Sequence, residues 1–267
     1  MEAALDDVEF LALSPNRVAV LQSLAAGPRT RSDLADETGA SQATLGRILA
    51  DFEERVWVRR VGGQYETTAT GELVADAFSD LLDALDLERE LRSIVEFLPT
   101  ESLSFDLSHL ADAEITVPTQ TRPNAPLQRL LELERGADDV RAFSHAFNEQ
   151  TLSLTAEQAT AGDVRFRGVF SASAIDALTS EQPLYDRLKT LIDSEAASVR
   201  VREAGVPVAA TIVDDRVHLL VRDDSGVLRA SIETDDPVVF EWAETAFDRY
   251  WADATELARA DLSGDDG

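Results

Sequence analysis

Early in the chain, apolar residues recur at helical spacing and are cut into short blocks by proline, glycine and small hydroxyl residues. Asp6–Leu13 reads as a short amphipathic entry helix. Ser14-Pro15 opens the next helix, with serine as N-cap and proline in the first turn; Val18, Leu21 and Leu24 follow at helical spacing until Gly27-Pro28 stops it. Thr30 caps a helix that turns Leu34 and Ala35 inward and ends at Gly39. Ser41 caps another, running through Leu45, Ile48, Leu49 and Phe52 to about Arg55. The period then changes. Trp57–Val61 and Gln64–Thr68 alternate around Gly62-Gly63, which is the pattern of a β-hairpin.

From Ala69 to about Arg92 a long helical pattern carries Leu73, Phe78, Leu81, Leu82, Leu85 and Leu91 on a wide apolar stripe, with acids opposite. Such a stripe serves either packing on its own chain or pairing with a second copy. Beyond it, strand-like runs at 113–117, 140–144, 164–171, 199–201, 208–213, 217–221 and 227–232 interleave with helical patterns at 125–135, 149–160, 173–178 and 184–195. That alternation implies a partly parallel α/β sheet. Asp214-Asp215 and Asp223–Gly226 read as tight turns, and Asp236–Leu257 as a final helix. The domain reading is 1–71 as one domain, 72–92 as a linker helix, 93–260 as an α/β domain and 261–267 as a tail.

Charge sharpens this picture. The chain holds 51 acidic residues against 24 Lys and Arg, a formal net charge of −27, and Lys189 is its one lysine. Lysine depletion together with acid excess resembles the proteins of salt-in halophilic archaea. At about 1 M salt the screening length falls to about 3 Å, so the repulsion among these acids is quenched. The charge is also uneven. From Arg17 to Tyr65 seven arginines face six acids, whereas from Asp76 onward 39 acids face 17 bases. The near-neutral stretch is the one with the short helices and the hairpin.

No apolar run approaches the roughly 20 residues of a membrane span, and the acidic N-terminus is unlike a secretory signal. The expected location is the cytoplasm. The lack of cysteine excludes disulfides, thiolate metal sites and cysteine nucleophiles. His109, His145 and His218 are not at metal-ligand spacing with one another, and neither a P-loop nor a G-x-S-x-G elbow is found. No cofactor, metal or catalytic activity is therefore expected.

Two helices joined by a short turn at Gly39, followed by a basic hairpin, have the spacing of a helix-turn-helix with a wing. Polar side chains near the N-terminus of the helix after Ser41 suit base edges and phosphates: Ser41, Gln42, Thr44 and Arg47. Arg59, Arg60 and Gln64 on the hairpin suit backbone or minor-groove contacts, and Arg29, Thr30 and Arg31 suit phosphates. Each has a structural alternative. Ser41 and Thr30 can be caps and nothing more, Arg47 can pair with Asp51 four residues on, and Arg59 and Arg60 alternate in facing, so that one of them serves structure. In the α/β domain Arg141, His145, Arg165 and Arg167 are candidate donors to an anionic effector, unless those arginines only offset surface acids.

RSDLADETGASQATLGRILADFEERVWVRRVGGQYETTATG, from Arg31 to Gly71, resembles the winged-helix domain of haloarchaeal ArsR/MarR-like regulators, a likeness that extends over Pro15–Gly71. The resemblance implies dimeric binding to double-stranded operator DNA through the helix after Ser41 and the wing. Val56 departs from it, standing where such sequences carry the glycine that ends that helix. AATIVDDRVHLLVRDDSGVLRASIETDDPVVFEWAETAFDRYWADA, from Ala209 on, resembles the middle domain of methanogenesis-type archaeal regulators related to TrmB-like sensors. That implies a phospholipase-D-like α/β fold used for effector sensing or oligomerisation. Phospholipase-D chemistry needs lysine two residues after histidine; here those positions hold Ala111, Phe147 and Leu220. The expected function is a homodimeric, sequence-specific DNA-binding transcriptional regulator controlled by a small effector. The alternative is a winged-helix adaptor that binds protein instead of DNA.

Overall fold

The computed structural model describes residues 2–263. The chain divides into two compact units, residues 1–86 and 87–267. The division falls inside a helix, within the segment that the sequence marks as a linker. The part of the expected tail from 264 onward lies outside the described residues.

The first unit orders α1 (Glu2–Ala12), α2 (Pro15–Ala25), α3 (Arg31–Thr38), α4 (Gln42–Glu54), β1 (Val58–Val61), β2 (Gln64–Thr67) and the start of α5 (Ala69–Leu91). Leu21, Leu24, Leu34, Leu45, Leu49 and Phe52 are buried together and form its centre. Local chemistry sets the helix ends. Thr30 and Asp33 form a reciprocal capping box on α3, and Gly39 closes that helix at φ 68°. Ser14 stands at the N-cap of α2, but its hydroxyl makes no capping bond; Pro15 in the first turn carries the start.

The end of α4 carries the departure seen in the sequence. Val56 has φ 60°, a left-handed conformation that a β-branched residue rarely adopts. It occupies the glycine position of a Schellman motif: its amide donates to the Glu53 carbonyl and the Trp57 amide to the Phe52 carbonyl, both at 3.0 Å. The Phe52 and Trp57 rings meet with centroids 5.9 Å apart, the hydrophobic contact that accompanies such an ending. The Thr68 and Thr70 hydroxyls donate to the Val56 carbonyl at 2.6 and 3.1 Å and hold the strained residue in place. Gly71 lets the first turn of α5 lie against this corner, since a Cβ there would come within 1.8 Å of the Trp57 carbonyl oxygen.

The second unit is a mixed sheet in the order β10-β6-β5-β4-β7-β8-β9-β3. Its strands are β3 (Glu114–Thr116), β4 (Asp139–Ser144), β5 (Arg165–Ser171), β6 (Ala197–Arg202), β7 (Ala209–Val213), β8 (Arg216–Arg222), β9 (Leu228–Thr234) and β10 (Thr255–Glu256). The pairs β4–β5 and β5–β6 are parallel; the other neighbours are antiparallel. Helix α10 (Pro237–Ala252) buries Trp242, Phe247 and Tyr250 on one face, against Phe143 and Leu219. The opposite face meets α6 (Ala125–Glu134), α7 (Glu149–Ala161), α8 (Ala172–Thr179) and α9 (Gln182–Ile192).

Two segments differ from the sequence reading. The final helix stops at Ala252 instead of Leu257. Thr255 and Glu256 form edge strand β10 against Val201 and Arg200, and the Leu257 amide donates to the Val199 carbonyl at 2.9 Å. The apolar residues that extend the helical pattern thus serve a sheet edge. Residues 95–110, left without an element, contain three short 3₁₀ turns. At the Asp214 turn φ is 50°, and the Asp214 carboxylate accepts the amides of Asp138 and Asp139 at 3.1 and 3.0 Å.

Beneath α6 the sheet carries a buried polar row: Thr211, His218, Ser231 and Glu233. Arg129 and Arg216 hold the Glu233 carboxylate at 2.5 and 2.8 Å. Among the described residues neither His218 ring nitrogen has a hydrogen-bond partner, nor has Oε2 of the buried Glu134 on α6. Burial pushes Glu134 up to about 8 and His218 down to about 4.

Two predictions follow from these positions. Val56→Gly relieves the left-handed strain and should raise unfolding free energy by about 1 kcal/mol, read from denaturant melts; a loss of stability would contradict that account. The two buried groups should give opposite pH slopes. Glu134 binds a proton in the folded state that the unfolded chain has released, so its contribution fades from about pH 4.5 to 8. His218 stays neutral where the unfolded chain is charged, so its contribution grows from about pH 4 to 6.5. Each slope is at most about 1.4 kcal/mol per pH unit. Relative to the parent, Glu134→Gln should gain stability as pH rises through its window and His218→Gln should lose it. Parallel stability–pH curves for parent and variants would show that burial does not perturb these groups.

Candidate nucleic-acid interface

Helix α4 buries Leu45, Ile48, Leu49 and Phe52. The same periodicity turns Gln42, Ala43, Arg47 and Ala50 outward, and all four are exposed. Thr38 ends α3 and Gln42 begins α4, so three residues separate the two helices. The Ser41 hydroxyl accepts from the Thr44 amide at 3.2 Å and bonds the Thr44 hydroxyl at 2.9 Å. Both side chains are thus engaged in the cap, leaving Gln42 and Arg47 as the polar groups on the outer face of the first two turns without a side-chain partner among the described residues; Glu54 lies on the same face at the far end of the helix.

The hairpin turns on Gly62 and Gly63, at φ 58° and 91°. Two consecutive positive φ values are what a two-residue type I′ turn requires, which is why both positions are glycine. Arg29 extends the hairpin by a bridge to Tyr65, with backbone hydrogen bonds of 3.0 and 2.8 Å. Arg59 and Glu66 are cross-strand partners and their side chains pair at 2.7 Å. Arg60, opposite Tyr65, lies 5.7 Å from that ring, and Gln64 is exposed.

Internal partners claim most of the local positive charge. Arg17 reaches Asp51 at 3.7 Å and the Phe10 carbonyl at 2.8 Å. Arg55 pairs with Asp7 at 3.2 Å, and both guanidiniums stack on Phe10, 3.9 and 3.8 Å from its centroid. Arg29 pairs with Glu37 at 2.8 Å. Arg31 donates to the Gln42 carbonyl across Gly46, where a Cβ would come within 2.6 Å of the guanidinium. Thr30 is held in its capping box. The three candidates at the start of α3 therefore brace α3 against α4 and the hairpin. Asp51 faces Arg17, and Arg47 makes no ion pair among the described residues. Arg31 has only the Gln42 carbonyl, and Arg47 and Arg60 are the arginines of this unit whose guanidiniums make neither an ion pair nor a hydrogen bond among the described residues.

In the second unit Arg141 and Arg167 are register partners on β4 and β5. Both reach Asp139, at 3.3 and 3.4 Å, and Arg141 also reaches Glu244 at 2.9 Å. Arg165 is exposed at the start of β5. His145 follows the far end of β4, four residues and about 13 Å beyond Arg141. Burial, and then the Arg222 charge, lower its pKa. The four candidate effector residues are thus not gathered at one place: the three arginines lie at one end of the strands and His145 at the other. Among the described residues no helix is long and apolar enough to cross a membrane.

Residues 5–90 match the family model of the HVO_A0261 N-terminal domain. Residues 123–253 match that of the middle domain of the methanogenesis regulatory protein FilR1. No curated protein sequence matches the chain. Among solved structures, the archaeal chromatin protein TrmBL2 aligns at 15% identity over 93% of this chain and 98% of its own, with a TM-score of 0.41. The phospholipase D family member Nuc from Salmonella typhimurium aligns at 12% identity over 54% of this chain and 98% of its own, with a TM-score of 0.43. Quinone-bound YodB from B. subtilis aligns at 19% identity over 32% of this chain and 97% of its own, with a TM-score of 0.30. The chain is thus similar to the HVO_A0261 N-terminal domain in its first unit and to the middle domain of the methanogenesis regulatory protein FilR1 in its second.

Proposed function

We propose that the chain is a sequence-specific DNA-binding transcriptional regulator of a halophilic archaeon. In this reading the first unit is a winged helix-turn-helix, with α4 as recognition helix and β1–β2 as wing. The observation that carries the reading is the placement of the two arginines whose guanidiniums make neither an ion pair nor a hydrogen bond among the described residues. Arg47 sits on the outer face of α4 and Arg60 on the hairpin, where a helix in the major groove and a wing beside it need cations. Gln42, one turn before Arg47, is free to bond adenine, and Arg47 is free to bond guanine. Regulation is also in the name of the family that the second unit matches.

The protein acts as a homodimer in this proposal. Leu73, Leu81 and Leu85 lie at multiples of four residues along α5 and are exposed, as a helix that pairs with its copy requires. A small effector taken up by the second unit would control the DNA-binding state.

Fluorescence anisotropy on operator fragments, isolated by footprinting genomic DNA in molar KCl, tests this. Arg47→Ala should weaken operator binding by about 1–3 kcal/mol and relax preference at one base position. Arg60→Ala should weaken specific and non-specific DNA about equally. Arg59→Ala, already neutralised by Glu66, should do less than Arg60→Ala. Full operator affinity in the Arg47→Ala, Arg60→Ala double variant would exclude this interface and favour a protein-binding adaptor.

A further inference from the structure

A small cavity lies between the sheet and helices α6 and α7, about 40 Å³ in volume. Leu130, Phe166, Phe170 and Leu220 give it apolar walls, and Glu134, Thr155 and Thr211 are its buried polar residues. Glu134 is 4% exposed, and its Oε2 lacks any hydrogen-bond partner. Neither threonine hydroxyl has a partner among the described residues. A buried carboxyl with an orphaned oxygen is destabilising unless something meets it. Gln128 and Gln158, also near α6, do not supply that partner: Gln128 bonds Gln150, and Gln158 bonds the Glu134 carbonyl.

We infer that this cavity binds the ammonium head of a short primary amine, with Glu134 as its counter-ion. An ammonium presents three donors, and the cavity offers three acceptors without partners: the Glu134 carboxylate and the Thr155 and Thr211 hydroxyls. Arg222 is the other charged residue on the lining; its guanidinium donates to the Gly226 carbonyl at 2.9 Å at the end of β8, while its Nε has no hydrogen-bond partner among the described residues, so sodium acetate is the control that separates an anion site from the cation site inferred. The volume suits a head group with a carbon or two. Amine binding here stands apart from the regulatory reading, because it needs no DNA.

Titration calorimetry of the full chain with ethylammonium and n-propylammonium chloride tests the site, with ethanol, sodium acetate and equimolar KCl as controls. Saturable binding by the amines alone is expected. Glu134→Gln, which keeps the shape and removes the charge, should weaken it at least tenfold, and Thr211→Val several-fold; circular dichroism reports whether each variant folds. Binding should strengthen toward tenfold per pH unit as Glu134 ionises on approach to pH 8, then level off. Burial is the cause of its raised pKa, and Arg222 is the other charged group on the lining. No heat from either amine at millimolar concentration, equal heat from ethanol or KCl, or unchanged affinity in a folded Glu134→Gln variant would each overturn the inference.

Discussion

Fifty-one carboxylates compete for 24 cationic side chains in this chain, and that shortage decides which surfaces can meet a polyanion. In the first unit the competition is settled locally. Asp51, Glu37, Asp7 and Glu66 take Arg17, Arg29, Arg55 and Arg59, and a backbone carbonyl takes Arg31. Those contacts also join helix to helix and strand to strand, so they build the scaffold while removing charge from its surface. Individual exposed pairs are weak and are screened further by salt. Arg17 and Arg55 gain a more durable anchor by sandwiching the Phe10 ring. In the proposed reading, the two arginines left without an ion pair or a hydrogen bond among the described residues, Arg47 and Arg60, mark the DNA-facing surface more sharply than net charge does.

The second unit handles polar groups in the opposite way. Several of its arginines, among them Arg141, Arg167, Arg187 and Arg229, are matched to acids, but under α6 it buries a histidine, a serine and a carboxyl group that are left partly unsatisfied among the described residues. Interiors rarely tolerate this without a reason. Glu233 is buried as well, and two arginines hold it; Glu134 has no such support. The contrast between these two glutamates, both on one side of the sheet, separates a structural carboxylate from one waiting for a partner.

Much of this was legible in the sequence. Caps such as Thr30 and Ser41, stops such as Gly39 and the Gly62-Gly63 turn place the first unit's elements because each depends on a few neighbouring residues. Even the anomaly at Val56 could be read from one position. Long-range choices were not legible. Nothing in the spacing says that Arg59 meets Glu66 while Arg60 does not, or that Arg31 folds back over Gly46, because those partners depend on hairpin register and helix crossing. The end of α10 was misjudged since Ala254 and Leu257 continue a helical apolar pattern while packing at a sheet edge. Glu134 did leave a trace: it follows Leu127, Leu130 and Leu131 on the inward stripe of α6, where a charge is out of place. Grouping Arg141 with His145 failed because four residues along a strand span more distance than one small ligand bridges.

The account turns on α4 being offered outward, twice over, at the spacing of a double helix. The chain has no cysteine, so Ala43→Cys places a single spin label on the exposed face of α4. Pulsed dipolar spectroscopy of the full chain in molar KCl should give one intermolecular distance near 34 Å, about one helical turn of DNA. Absence of dipolar coupling, or a distance that cannot match successive turns of the duplex, would contradict a dimer built to read an operator.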